Sequence, residues 1–149
     1  MRKLALSIVA VVCIAAVSSF YVLTSSYSSA SPQLKGYDPV SYFVENAPVA
    51  GQSAIAASFD GDTYFFASED NKKAFLDDPE KFIPQYDGHC SYGVSLGQKF
   101  DIDPLAYRIV DGRLFLQLDP GTRKLWMEAE AENIRVADKN WPQLQASTE

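Results

Sequence analysis

The stretch Gln85–Ser95, QYDGHCSYGVS, contains the only histidine of the chain, His89, directly before Cys90. The other cysteine, Cys13, lies in an apolar N-terminal run. Imidazole and thiolate groups bind soft metal ions and act as bases and nucleophiles. In the part of the chain that follows the apolar run, such chemistry has to use His89 and Cys90.

The residues around Cys90 predict a turn followed by a short helix. Asp87-Gly88-His89 forms the turn, because glycine reaches backbone angles closed to other residues. A helix over Cys90–Leu96 would place the thiol near unpaired backbone N–H groups, which favour the thiolate. The alternative is a Cys90 packed in the core, since free cysteines are among the most buried residues.

We predict His89 and Cys90 as metal ligands, with copper or zinc as the ion. Structural zinc takes four ligands and catalytic zinc takes three plus water. Asp87, Asp101, Asp103 or a second chain would therefore have to complete the set. Thiol-dependent catalysis is an alternative, but it requires the histidine within hydrogen-bond reach of the thiol, and neighbouring side chains usually diverge.

The charge of the chain restricts its partners. The formal net charge is −6, and it becomes −8 without the first 30 residues, whose only charged side chains are Arg2 and Lys3. Binding to phosphate backbones requires a basic patch, so nucleic acid is not an expected partner. A metal ion or small ligand remains a candidate, and the sequence identifies no protein partner.

The N-terminal 30 residues predict export. Arg2 and Lys3 precede an uncharged run, 4–23, and Ser28-Ser29-Ala30 offers small residues where signal peptidase cuts, before Ser31. The run also approaches the roughly 20 residues of a membrane-spanning helix, so an uncleaved membrane anchor is the alternative. In both cases the domain is periplasmic or extracellular.

Two turn signals predict β-hairpins. Apolar residues alternate on both sides of Asp60-Gly61-Asp62, which predicts a hairpin within 54–67. Asp111-Gly112 predicts a second hairpin, between strands 107–110 and 113–118. No internal repeat is apparent in the sequence.

Helices are predicted after each hairpin. Ser68 is the expected cap of the first helix, which Pro79 interrupts. Apolar residues at helical spacing between Leu125 and Ala137 predict further helix, which ends at Asn140-Trp141-Pro142. The order of elements predicts a single α+β domain, a small antiparallel sheet of hairpins packed with short helices. Its predicted organisation is a signal peptide or anchor, a linker, the domain and a frayed tail, over 1–30, 31–35, 36–144 and 145–149.

The segment Ser58–Phe82, SFDGDTYFFASEDNKKAFLDDPEKF, resembles a YHS domain. The shared features are the glycine turn, the Tyr-Phe strand, the serine-capped helix and the Asp-Pro-Glu-Lys ending. The remaining motifs, GYDPVSYF, PQYDGHCSYGVS, IVDGRLFL and ADKNWP, resemble exported bacterial YHS-domain proteins of similar length. The resemblance extends over 36–141 and implies the same fold.

The resemblance also implies a metal site, which this chain does not reproduce. YHS domains of copper-transporting ATPases are thought to bind soft metals through three cysteines. At the matching positions this chain has Ser41, Ala67 and Asn71. The function predicted is therefore a non-enzymatic exported binding module for a soft metal or small ligand near Cys90. The alternatives are a structural or protein-interaction domain with Cys90 in the core, and a thiol-dependent enzyme.

Overall fold

The computed structural model describes residues 31–147, which form an α+β domain. The predicted signal peptide or anchor, 1–30, lies outside these residues. Within 31–147, no helix is both long and apolar enough to cross a membrane. The helices and strands are α1 (Ser41–Val44), β1 (Gln52–Phe59), β2 (Asp62–Phe66), α2 (Glu69–Asp77), α3 (Ser91–Ser95), β3 (Asp103–Val110), β4 (Arg113–Gln117), α4 (Pro120–Met127) and α5 (Glu130–Ala146).

Both predicted hairpins form. Strands β1 and β2 pair antiparallel around Asp60 and Gly61, which have φ of 50° and 89°. Strands β3 and β4 pair in the same way around Asp111 and Gly112, with φ of 50° and 74°. Two left-handed residues in succession are typical of two-residue hairpin turns, and Asp-Gly meets that requirement. The hairpins form two separate two-stranded sheets, whereas the sequence predicted one small sheet.

Side-chain caps start the helices that follow the hairpins. The Ser68 hydroxyl accepts a hydrogen bond from the Asn71 amide at 3.1 Å and starts α2, as predicted. The Asp119 carboxylate accepts one from the Thr122 amide at 2.7 Å and starts α4. This bond holds the pKa of Asp119 below its usual range. Helix α2 ends at Asp77, and Pro79 opens a separate 3₁₀ turn.

Helix α5 is longer than the sequence predicts. The expected end at 140–142 is wrong, because the helix continues through Pro142 to Ala146. Proline removes one intrahelical hydrogen bond, and tertiary contacts offset that loss. The Asn140 side chain donates to the carbonyls of Val94 and Ser95, both at 3.1 Å, and the Trp141 ring lies 5.7 Å from the Tyr86 ring.

Two similar turns precede α1 and α3. The first covers Gln33–Gly36 and the second Gln85–Gly88, and we call them turn 1 and turn 2. Each contains two non-glycine residues with positive φ before its glycine. Leu34 of turn 1 is only 3% exposed, so the expected linker 31–35 packs against the domain.

Candidate functional site

Turn 2 places His89 and Cys90 at the start of α3. Gly88 has φ of 76°, and the His89 amide donates to the Tyr86 carbonyl at 2.9 Å, which closes the predicted turn. Cys90 then occupies the N-cap position of α3, a helix of five residues. The thiol makes no capping hydrogen bond, so it does not contact the amides of its own helix.

Cys90 lies in the hydrophobic core. Its exposed fraction is 1%, and it belongs to a cluster with Leu34, Tyr42, Ile102, Leu114 and Leu116. The Cys90 Sγ accepts a hydrogen bond from the Leu118 amide at 3.3 Å and lies 3.5 Å from the Gln117 Oε1. Both contacts come from the end of β4 and the residue after it. The thiol is thus an internal hydrogen-bonding group of the core.

His89 instead lines a groove. The groove has a volume of about 690 Å³ and is formed by three segments of the chain, 31–35, 87–89 and 99–102. His89 is half-buried, and its ring lies 6.0 Å from that of Trp141. Volumes of this size are typical of pockets for small ligands. The two neighbouring residues therefore face different surroundings, His89 a groove and Cys90 the core.

Charged groups of both signs line this groove. The Lys35 ammonium contacts the Asp101 carboxylate at 2.7 Å, and this hydrogen bond holds the pKa of Asp101 below its usual range. The Lys99 ammonium donates to the main-chain oxygen of Ser147 at 3.1 Å. Asp87 accepts a hydrogen bond from the Gln145 side chain at 3.2 Å. The groove thus combines hydrogen-bond donors, acceptors and opposite charges.

The prediction of His89 and Cys90 as metal ligands needs further donors. Among residues 31–147, no three His, Cys, Asp or Glu side chains are grouped so that they could hold a metal ion. Asp101, one of the residues considered for completing the set, is paired with Lys35. The metal site therefore stays a prediction, and the donor set that it requires is not assembled in this geometry.

The three positions at which the resemblance implies cysteines, Ser41, Ala67 and Asn71, all contact Asp38. This carboxylate is fully buried, and it accepts hydrogen bonds from the amides of Val40 and Ala67, both at 2.8 Å, and from the Asn71 side chain at 2.7 Å. The Ser41 hydroxyl donates to the Asp38 carbonyl at 2.7 Å. These residues do not fit a soft metal ion, because N–H donors surround the carboxylate and no thiolate is present.

Sequence reasoning missed two buried polar residues of these surroundings, Asp38 and Gln117. Asp38 carried a signal, since a short acidic side chain before proline often bonds the amide two residues on. Gln117 is fully buried, and its Oε1 accepts a hydrogen bond from the Tyr92 amide at 3.0 Å. Its signal was a single polar residue within the apolar run Leu114–Leu118.

Comparison with known proteins identifies part of the chain. The family model of the YHS domain matches residues 40–86, about a third of the sequence. No curated protein and no solved structure matches the chain. The matched segment contains the first hairpin, helix α2 and the first two residues of turn 2, and it stops before His89 and Cys90. Residues 40–86 therefore match the YHS domain family, the family that the motifs of this segment predicted.

Proposed function

We propose that this protein is a non-enzymatic binding module that acts outside the cytoplasmic membrane and takes a small polar ligand in the groove beside His89. The observation that carries the proposal is the separation of the two candidate side chains. His89 lines a groove of about 690 Å³, whereas Cys90 is 1% exposed and accepts a hydrogen bond from Leu118. Binding is therefore assigned to His89 and its neighbours, and Cys90 to the core.

The surroundings of Cys90 argue against thiol chemistry. A nucleophilic cysteine needs a base within hydrogen-bond reach. The polar groups nearest to the Cys90 Sγ are the Gln117 Oε1, an amide oxygen, and the Leu118 amide, neither of which acts as a base. A reagent or metal ion would also have to displace core side chains to reach the sulfur.

The groove favours a ligand with both an anionic and a cationic or hydrogen-bond-donating group. Lys99 bonds only a main-chain oxygen within the described part of the chain, so its charge is available to a carboxylate. Asp87 can accept from an ammonium or amide group of the same ligand. Phe100, which is 41% exposed, adds an apolar surface. A small zwitterionic molecule matches this combination.

Titration with glycine, followed by the amide NMR signals of the protein, tests the proposal. We expect saturable shifts confined to the segments 31–35, 87–89 and 99–102. His89→Ala and Lys99→Ala should each weaken binding severalfold, while Lys73→Ala on the exposed face of α2 should leave it unchanged. Acetate and methylammonium, which each carry half of the charge pattern, should bind more weakly than glycine. Scattered shifts, or none, would contradict the proposal and favour a structural or protein-interaction role.

A separate titration with zinc ions tests the metal-binding alternative. We expect any response to be weak, to require His89 and to be the same in Cys90→Ser, because the sulfur lies in the core. Tight zinc binding that depends on Cys90 would overturn the proposal and restore a soft-metal site at His89 and Cys90. Copper(II) provides a second probe with the same expected pattern.

Export is the second part of the proposal, and it bears on the groove. Cleavage before Ser31 would place a new α-amino group at a residue that lines the groove. We therefore expect glycine binding to differ between protein that begins at Ser31 and protein that keeps extra residues before it. N-terminal sequencing of protein from the exported fraction tests cleavage itself, and Met1 retained in membranes would favour the anchor.

A further inference from the structure

Turns 1 and 2 are built alike. A proline precedes each turn and a glutamine begins it, as Pro32-Gln33 and Pro84-Gln85, and both turns end in a glycine with positive φ. The two residues before each glycine have φ of 56° and 52° in turn 1 and of 58° and 50° in turn 2. Non-glycine residues rarely adopt this conformation, so a pair of adjacent residues that both adopt it is a distinctive feature shared by the two turns.

The hairpins repeat the same register. In the first, Gln52 pairs with Phe66 and Phe59 with Asp62. In the second, Asp103 pairs with Gln117 and Val110 with Arg113, so each partner lies 51 positions further along the chain. The register shifts also correspond, one between Gln52 and Ala56 and the other between Asp103 and Tyr107. A bulge conserved in position is a feature of a shared fold.

The contacts around the hairpins repeat as well. The Asp38 amide donates to the Val49 carbonyl at 2.8 Å, and the Cys90 amide donates to the Phe100 carbonyl at 3.1 Å. In the core, the Phe75 ring lies 4.9 Å from Tyr64 and the Trp126 ring 5.5 Å from Phe115. The helix caps, Ser68 and Asp119, each accept from the amide three residues later.

We infer that the chain contains two copies of one structural unit and that Cys90 occupies in the second copy the position of Asp38 in the first. The N-terminal unit covers 32–77 and the C-terminal unit 84–127, with α5 added after the second. The YHS model matches 40–86, mainly the N-terminal unit, so the C-terminal unit is a diverged repeat of the same fold. This inference is independent of the proposed ligand groove.

Asp38 and Cys90 perform the same structural task with different chemistry. Each accepts a hydrogen bond from the amide of the residue that follows the hairpin. Asp38 accepts from Ala67 at 2.8 Å, and Cys90 accepts from Leu118 at 3.3 Å. We call Asp38 and Cys90 the central acceptors of the two units. The Asp38 carboxylate also accepts hydrogen bonds from the Val40 amide and the Asn71 side chain. A single sulfur cannot accept all three hydrogen bonds.

Gln117 supplies the acceptor that the cysteine lacks. In the N-terminal unit, the amide of Val40, two residues after Asp38, donates to the Asp38 carboxylate. In the C-terminal unit, the amide of Tyr92, two residues after Cys90, donates to the Gln117 Oε1 instead. The counterpart of Asn71 is Thr122, whose side chain has no amide group to donate. The Gln117 Nε2 is buried without a partner in the described residues.

The test is to rebuild the N-terminal arrangement in the C-terminal unit. Cys90→Asp alone should lower the folding equilibrium constant at least tenfold, because the buried carboxylate lacks the donor that Asn71 gives to Asp38. Adding Thr122→Asn should recover at least fivefold of that loss, while Thr122→Asn alone should change the constant threefold or less. A double-mutant cycle from denaturant unfolding measures this coupling. Additive effects would overturn the equivalence of the two positions.

If Cys90→Asp does not fold, amide hydrogen exchange in Cys90→Ala tests the role of Cys90 as an acceptor. Cys90→Ala removes the acceptor of Leu118 only, so exchange at the Leu118 amide should accelerate at least tenfold relative to that of its neighbour Leu116. Asp38→Ala should accelerate exchange at Ala67 in the same way. Unchanged protection of the Leu118 amide in Cys90→Ala would show that Cys90 is not its acceptor and would contradict the inference.

Discussion

The N-terminal and C-terminal units differ most in how they satisfy the buried polar groups between hairpin and helix. In the first, Asp38 accepts three hydrogen bonds from N–H groups. In the second, Cys90 accepts one from Leu118, and Gln117 accepts another from Tyr92. A buried charge requires several donors, whereas a neutral thiol requires few. The comparison shows that one backbone arrangement accepts an ionic or a neutral central group, provided that its donors change too.

The sequence context of Cys90 and its structural role differ. Cys90 is one of two cysteines and follows the only histidine, so its sequence context suggested chemistry. Its counterpart, Asp38, is fully buried and hydrogen-bonded, and Cys90 is 1% exposed. The position therefore serves the core in both units.

Removing the acceptor of the N-terminal unit should have the largest effect. Asp38→Ala leaves the amides of Val40 and Ala67 and the side chain of Asn71 without their acceptor. Each buried unsatisfied donor costs about 1–3 kcal/mol, so we expect a loss of about 3 kcal/mol or more in the free energy of unfolding. Urea denaturation measures it, with Asp60→Asn in the exposed hairpin turn as the control. A loss similar to that of the control would contradict the role of Asp38.

The helix caps give a matched pair of smaller changes. Ser68→Ala removes the hydroxyl that accepts from Asn71 and should cost about 1 kcal/mol at any pH. Asp119→Ala should also destabilise the fold, but in a pH-dependent way. The pKa of Asp119 is lowered in the folded state, so its contribution to folding stability is complete above the usual carboxyl pKa. That contribution is lost as the pH falls through the pKa that Asp119 has in the folded protein. Thermal unfolding of both variants from pH 7 to pH 2 checks this, and parallel curves would contradict it.

The smallest expected effect concerns an ion pair of the C-terminal unit. Arg113 contacts Asp138 of α5 at 2.6 Å, and its N-terminal counterpart is the acidic Asp62. The Arg113 hydrogen bond lowers the pKa of Asp138, so the contribution is complete above about pH 4 and decreases as the pH falls further. Both side chains are about a third or more exposed, so solvent screening keeps it below about 1 kcal/mol.

Asp138→Asn tests this expectation. The asparagine keeps an acceptor for the Tyr86 hydroxyl, which lies 2.8 Å from the Asp138 carboxylate. It removes the charge and the second oxygen, which accepts a hydrogen bond from Arg113. Its stability deficit should shrink below pH 4 and with added salt. A deficit that is constant with pH would mean that packing of α5, rather than the charge, is responsible.

Local turn chemistry made much of this fold predictable. Asp-Gly at 60–61 and 111–112 fixed both hairpins, and Ser68 marked the start of α2. Pro142 misled the prediction of α5, because Trp141 and Asn140 hold the last turns in place by tertiary contacts.

Local sequence patterns could not predict the central acceptors, because their hydrogen-bond partners are distant in the sequence. Asp38 bonds groups 29 and 33 residues away, and the Leu118 amide that bonds Cys90 is 28 residues away. The repeat was hidden because the two units share backbone angles and register more than side chains. The local sequence could not decide whether Cys90 is a core residue or a reactive thiol, because its burial depends on which elements pack around it.

The most direct test of the account is the labelling rate of Cys90 with a thiol reagent in folded protein. A chain that lacks Cys13 has Cys90 as its only thiol, and Lys73→Cys adds an exposed one on α2 as a positive control. We predict that Cys90 reacts only as fast as the protein unfolds, with a rate that rises with urea in parallel with global unfolding. Labelling of Cys90 in folded protein as fast as that of the cysteine at position 73 would contradict its assignment as a central acceptor of the core.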